Sequence, residues 1–398
     1  MKKTELIECL GVCVVLFVGL ISIKALLLVV PFFLLYLVLS KQMLVFSNKA
    51  KLIALGVLLY VLIGLFTTEY VQNTLSLSAN YLILLVVLLM SATRFSQTQK
   101  QMQIVSILFC TIVSFITILS LLFYLAHHIS FVSLGFSCMT DFKHYYRPIF
   151  MLCNDNATLV LCLLPFAFLF AIKTEKWLRY WSIVNLVCVN LCLIFSYSRG
   201  IYISTILFYL AVSIGLKLLG KEQRVFCQFL PTLIAVVVVL SVSPVIRQSV
   251  FTTLSLTKTE SQKRSFDSRL SKLETTLCNN RDVWFGCGDG NYFISNLNNQ
   301  TSFDSVLAAS SNNGIMQLYV ERGVFGLVLL LTLLSFILLC SLKHVQQGDN
   351  LTIVLLCGLF AVLVRECTFA SFSRVNAVMF LCFVMVLLLV NRCSYEKQ

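Results

Sequence analysis

Apolar runs of roughly 15–20 residues, separated by short polar stretches, recur from one end of the chain to the other, and a helix needs about 20 residues to cross the hydrocarbon core of a bilayer. The runs fall near 7–23, 25–40, 52–67, 80–93, 104–126, 158–172, 181–197, 201–216, 225–243, 323–342, 351–364 and 375–391. This pattern predicts an all-α polytopic membrane protein, a single integral domain over residues 1–398 with about 12 transmembrane helices. Two polar segments interrupt the series, 127–157 and the much longer 244–322.

Composition strengthens that reading. The 398 residues are 59% hydrophobic and 12% charged, with a mean hydropathy of +0.92, which excludes an ordinary soluble domain. The first run lacks a small-residue cleavage site and is followed by others, so it reads as a retained span rather than a removed signal peptide.

The placement of lysine and arginine orients the chain. One set of loops holds Lys2, Lys3, Lys41, Lys49, Lys51, Arg94, Lys100, Lys173, Lys176, Arg179, Lys217, Lys221, Arg224, Lys343, Arg392 and Lys397, whereas the loop at 68–79 on the other side holds neither type. Both termini are therefore expected in the cytoplasm, and 127–157 and 244–322 outside it. The net charge of +13 is mostly this topological bias rather than a nucleic-acid patch. The large external loop nevertheless carries Arg247, Lys258, Lys263, Arg264, Arg269, Lys272, Arg281 and Arg322, a basic surface suited to an anionic ligand.

Most of the sixteen cysteines lie in apolar runs, where they act as small hydrophobes. Cys278 and Cys287 are close enough in sequence to pair in an oxidising compartment, though spacing alone does not establish a bond. No Cys/His spacing matches a metal site, and no internal repeat of the kind common in transporters is evident.

Segment 244–322 divides into three. Leu270, Leu273 and Leu277 recur at helical spacing behind Asp267 or Ser268 as N-cap. A turn-rich piece, Gly286-Cys287-Gly288-Asp289-Gly290-Asn291, follows. Then 305–322 reads as a helix leading into the next span, capped by Asn312 or Asn313.

Four places can carry chemistry. Arg199, in Ser196-Tyr197-Ser198-Arg199-Gly200, is either a snorkelling interfacial arginine or an anion site flanked by hydroxyls and glycine. Arg264 and Arg269, at the start of the amphipathic helix, either face solvent or grip a phosphate bidentately. The glycine triplet 286, 288, 290 is a tight turn or a loop that lets a sugar or phosphate approach; it neither follows a strand nor opens a helix, so a dinucleotide fold is rejected. Arg147 through Asn156 holds Asn154 and Asn156 as helix caps, or Arg147 facing the same cavity as Arg199, with His144 as a base or a surface imidazole.

Taken in order, these patches resemble the O-antigen ligase and polymerase superfamily of bacterial envelope glycan enzymes. Asn154-Asp155-Asn156 behind Arg147 is similar to the family's Asn-Pro-Asn element, and 196–200 to its Ser-Arg-Gly element. Arg269 and the glycine turn are similar to an arginine, helix and glycine-rich sequence. Asn312-Asn313, nine residues, then Gly323-Val324-Phe325-Gly326 is similar to the ligase pattern, which begins with histidine.

The resemblance implies transfer of a glycan from undecaprenyl pyrophosphate to an acceptor hydroxyl at the periplasmic face of the bacterial inner membrane, with no metal, nucleotide or other cofactor. It assigns Arg199 and Arg269, with Asn312, to the catalytic set, and Arg147, Asn156, Arg264, Gly288, Asp289 and Asn313 to substrate binding. Paired guanidiniums would stabilise charge developing on a diphosphate leaving group. The partners implied are the lipid-linked glycan, an acceptor glycan or lipid A-core, membrane lipids and a chain-length regulator.

One departure stands out. Ligases carry a histidine, taken as general base, where this chain has Asn312, and an amide cannot accept a proton near neutral pH. Either another group serves, with His144, Asp289 and Glu321 as candidates, or leaving-group stabilisation carries the reaction. The difference favours a polymerase of O-antigen or capsular repeat units. The alternatives are the ligase itself, a polysaccharide transporter or flippase, and a scaffolding relative without activity.

Overall fold

The computed structural model describes residues 48–68, 70–92, 99–133, 153–173, 176–218, 222–242, 282–292, 313–368 and 376–392, with scattered positions between 14 and 31 and at 247, 251 and 274. Its helices are α1 (Asn48–Thr67), α2 (Val71–Ala92), α3 (Gln99–Ser133), α4 (Cys153–Lys173), α5 (Lys176–Phe195), α6 (Arg199–Lys217), α7 (Glu222–Val242), α8 (Gly314–Gln346), α9 (Asn350–Glu366) and α10 (Asn376–Arg392). No strand occurs among the described residues. Three helical stretches are long and apolar enough to cross a membrane by length and composition: Cys110–His127 within α3, then α6 and α8. Lys51–Thr67, Asn154–Phe168 and Arg179–Phe195 are apolar but shorter.

The described residues fall into two compact units. The first contains α3 to α7 and α9 as far as Arg365. At its centre is α4, which packs against α3, α5, α6 and α7. Every residue from Asp155 to Phe168 is buried, as expected of a helix apolar all round. Rings lock the packing: Phe168 meets Phe208 edge-on at 5.9 Å, and Tyr124 stacks on Phe195 at 6.3 Å. Two buried amides donate within the packing, Asn190 Nδ2 to the Tyr209 hydroxyl at 2.6 Å and Asn185 Nδ2 to Cys110 Sγ at 3.3 Å. The expectation that Asn154 and Asn156 cap α4 is corrected. The helix already includes Cys153, so both lie inside it, the Asn154 carbonyl accepting from Thr158 Oγ1 at 2.9 Å.

The second unit contains α1, α2, α10, α8 as far as Lys343, Glu366, and the turn 282–292. α1 and α2 pack as a pair, with α10 against both. The helix expected to lead into the span beginning at 323 is present from Gly314, and the junction is marked by a break at Gly323, where φ is 62° and ψ is −160°; beyond it helix continues to Gln346.

Candidate active site

The break at Gly323 is the origin of the second unit's polar site. In an unbroken helix the Val320 and Glu321 carbonyls would accept from Val324 and Phe325. Here Cys287 N donates to Val320 O at 3.0 Å and Gly288 N to Glu321 O at 2.9 Å, while Val324 N donates to Val283 O at 2.9 Å and Phe325 N to Trp284 O at 3.0 Å. The turn thus takes up all four backbone groups the break exposes. Irregular backbone at membrane depth survives only where protein satisfies it in this way.

Glycine is required on both sides of this interlock. Gly288 and Gly323 have φ of 90° and 62°, in the left-handed region. A Cβ at Gly323 would overlap the Trp284 backbone, and one at Gly288 would come within 2.5 Å of Thr68 Oγ1. The turn is anchored by Asn291, fully buried, whose Nδ2 donates to Thr68 Oγ1 at 2.8 Å, Thr74 Oγ1 at 3.2 Å and the Cys287 carbonyl at 3.1 Å. Cys287 Sγ donates to the Asn291 carbonyl at 3.3 Å; Cys278 lies outside the described residues.

The interlock buries Asp289 and Arg322, each about 1% exposed. Arg322 Nε donates to Asp289 Oδ1 at 2.7 Å and Nη2 to Oδ2, a bidentate pair. The Tyr60 hydroxyl also donates to Oδ1, at 3.1 Å, and its ring lies 4.0 Å beneath the guanidinium. Tyr81 packs edge-on against Tyr60 at 5.5 Å. Gly64 and Gly326 make room, since a Cβ at either would overlap Arg322. Beside the pair, Gln317 Nε2 donates to Glu321 Oε1 at 3.0 Å, and the Gly290 amide donates to the same carboxylate.

At the start of α8, Asn313 Oδ1 accepts from Ile315 N at 3.0 Å and Met316 N at 3.2 Å, an N-cap in the expected place. Glu366, 2% exposed, lies against Gly314.

In the first unit, Arg199 opens α6 and is exposed. It follows an elbow in which Tyr197 holds φ at 47°, the one positive φ outside glycine among the described residues. Neighbouring bonds impose it. Tyr202 OH donates to Ile194 O at 2.6 Å, Tyr197 N to the same carbonyl at 3.2 Å, and the Tyr197 ring abuts Phe195 at 6.5 Å. Ser198 occupies the N-cap position but makes no side-chain cap bond. Asn156, fully buried in α4, accepts from Ser120 Oγ at 3.4 Å.

Residues 183–331 match the family model described as O-antigen ligase. The match covers that stretch, less than half of the chain. No curated protein matches the chain. The O-antigen ligase segment holds Arg199, Arg264, Arg269, Gly288, Asp289, Asn312 and Asn313, and leaves Arg147 and Asn156 outside. Proteins of that family are glycan-transferring enzymes, ligases or polymerases.

The structure brings together Gly288 and Asp289, in the second unit, and places Asn313 in that unit too; Arg199 and Asn156 belong to the first. Arg147, Arg264, Arg269, Asn312 and His144 lie outside the described residues. Sequence reasoning counted Arg322 in the basic surface of the external loop, and this is corrected: its guanidinium is buried and taken up by Asp289; Tyr60 was passed over. Arg322 carries a signal, an arginine directly before Gly-x-x-Gly with an acid inside a glycine turn upstream. Tyr60 carries none, since a tyrosine in an apolar run has no pattern.

Proposed function

We propose that the protein transfers glycan from undecaprenyl pyrophosphate to an acceptor hydroxyl at the periplasmic face of the inner membrane, and that the acceptor is another lipid-linked repeat unit. The observation that carries this reading is an exposed Arg199 on a strained elbow inside the matched O-antigen ligase segment. Backbone strain held by surrounding bonds concentrates where a side chain must be aimed. A guanidinium there suits the pyrophosphate oxygens, on which negative charge grows as the bond to the sugar breaks. Arg269 is the second cation of the proposed clamp. Arg147, Arg264 and Asn156 are proposed to bind the donor, and Asn313, through its cap, to fix the start of α8. The buried Asp289 and Gly288 serve by holding the turn.

Asn312 in place of the ligase histidine favours polymerisation. The description of the matched family favours the second reading, ligation to lipid A-core. Surface-glycan analysis in a bacterial strain deleted for the gene separates the two. A polymerase deletion leaves single repeat units on the envelope, and Arg199→Ala or Arg269→Ala fails to restore long chains. A ligase deletion strips the envelope of glycan while long lipid-linked chains accumulate. Full rescue by both arginine variants would eliminate the pyrophosphate clamp.

A further inference from the structure

Val283, Trp284 and Phe285 form the outer tip of the turn 282–292, and all three are exposed, Trp284 by 67%. Three consecutive large apolar residues facing outward are out of place in a loop that stands in water. A tip of this kind meets either a bilayer or another protein. Its backbone decides between them.

The polar backbone groups of the tip are taken up from within. Asp282 Oδ1 accepts from Trp284 N at 2.9 Å and Phe285 N at 3.1 Å, and the Asp282 carbonyl accepts from Gly286 N at 3.0 Å. The Val283 and Trp284 carbonyls accept from Val324 N and Phe325 N in α8. Three amides and three carbonyls of residues 282–286 therefore bond inside the protein. A turn in water has no need of this, because solvent satisfies it; in hydrocarbon an unmet backbone group is costly. A protein interface draws on about one hydrogen bond per 100–200 Å². This tip has withdrawn the backbone groups that would supply them.

The partners of the tip also fix its level. Val324 and Phe325 are the first residues beyond the break, at the start of the apolar run near 323–342, in a helix long and apolar enough to cross a membrane. The Phe285 ring lies 6.1 Å from that of Phe325. Val328 and Leu331, one and two turns on from Val324, are exposed at 54% and 63%. The apolar surface of the tip thus runs on into an exposed apolar side of α8. Tryptophan suits the boundary where such a surface begins, its ring in hydrocarbon and its indole N–H reaching the headgroups.

We propose that residues 283–285 are a membrane-dipping wedge, an interaction site for the hydrocarbon of the lipids on that side of the bilayer. Segment 244–322 then does not stand clear of the membrane throughout. At this point it returns to the bilayer and brings the interlock of Gly288 and Asp289 to its surface. The wedge is independent of which glycan the protein transfers, or whether it transfers one.

The chain has three tryptophans, Trp177, Trp181 and Trp284, so Trp177→Phe with Trp181→Phe leaves Trp284 as the sole indole fluorophore. This full-length variant is reconstituted in phosphatidylcholine vesicles whose acyl chains carry bromine near the headgroup end in one set and near the methyl end in another. Iodide, inside and outside unbrominated vesicles, is the aqueous quencher. Trp284 is expected to lose more emission to brominated lipid than to iodide, and most to the shallow set. Greater loss to either brominated set than to iodide supports the wedge, and the stronger set gives its depth. Greater loss to iodide than to both puts the tip in water and overturns the proposal. Little loss to any quencher means that protein covers the tip, a second copy or a retained partner, and overturns it equally. Where the double variant fails to accumulate, subtracting the emission of Trp284→Phe from that of the wild type gives the same signal with Trp177 and Trp181 in place.

Discussion

Arg322 and Arg199 each stand at the polar edge of an apolar run and each is followed by glycine, yet their surroundings are opposite. Arg322 is buried, paired bidentately with Asp289 and seated on the ring of Tyr60. Arg199 is exposed at the mouth of α6, behind a backbone held in a left-handed conformation. In the first case the donors tie a turn into a broken helix; in the second the arginine is exposed two residues after a strained elbow. The two arginines separate a residue that holds the fold from one proposed to meet the substrate, and each can be removed by itself.

The largest expected effect is at Arg322. Arg322→Ala leaves the Asp289 carboxylate buried without its cation, and breaking a buried pair in this way costs roughly 3–5 kcal/mol. The protein is expected to lose most of its accumulation in membranes, measured by quantitative blot, and to unfold early in detergent. Arg322→Lys should not restore it, because an ammonium cannot reproduce the two parallel bonds. Normal accumulation of Arg322→Ala would show that the pair does not support the interlock.

Arg199→Ala sharpens the contrast from the other side. Loss of one donor that stabilises a developing anion costs roughly 10²–10³ in rate. Chain elongation on gels is expected to fall by that factor while the unfolding midpoint stays within about a degree, since an exposed side chain contributes little to stability. A melting shift as large as that of Arg322→Ala would place Arg199 among the structural residues and dissolve the comparison.

Gly323→Ala ranks third. It forces an L-residue to φ 62° and drives a methyl into the Trp284 backbone. Backbone strain of this kind costs roughly 1–3 kcal/mol, read as a lower unfolding midpoint with partial activity. The same change at Gly56, where a Cβ meets nothing within 4 Å, is the control and is expected to be neutral or slightly stabilising.

Much of this was legible in the sequence for identifiable reasons. Helix periodicity and apolar length announced the runs that became α1 to α10, because burial and bilayer solvation both write themselves into long hydrophobic stretches. The Asn312-Asn313 pair announced a helix start because short amides cap, and the cap fell on Asn313. The glycine triplet announced a turn, but not what the turn does. Its function depends on a break more than thirty residues later, and pairing across that separation leaves no local pattern. Asp289 looked like a residue open to substrate because a loop acid usually is solvated; it is enclosed because Gly64 and Gly326 leave space for its partner. The contact of Glu366 with Gly314 was invisible for the same reason, since it joins the end of one helix to the start of another.

The smallest effect tests how far the Arg322 cluster is purely architectural. Tyr60→Phe removes the hydroxyl donated to Asp289 Oδ1 and keeps the ring under the guanidinium. Oδ1 still receives Arg322 Nε, so no buried acceptor is orphaned, and the expected cost is that of one hydrogen bond, roughly 0.5–1.5 kcal/mol. Tyr60→Leu deletes the ring as well and adds the cation–π contribution, about 0.5–2 kcal/mol at a desolvated site. The difference in unfolding midpoint between the two variants therefore isolates the ring's share, and both are expected to transfer glycan at near the wild-type rate. If Tyr60→Phe instead abolished transfer with its unfolding midpoint unmoved, the cluster would belong to the chemistry, and the division between a structural and a functional arginine would fail at its structural end.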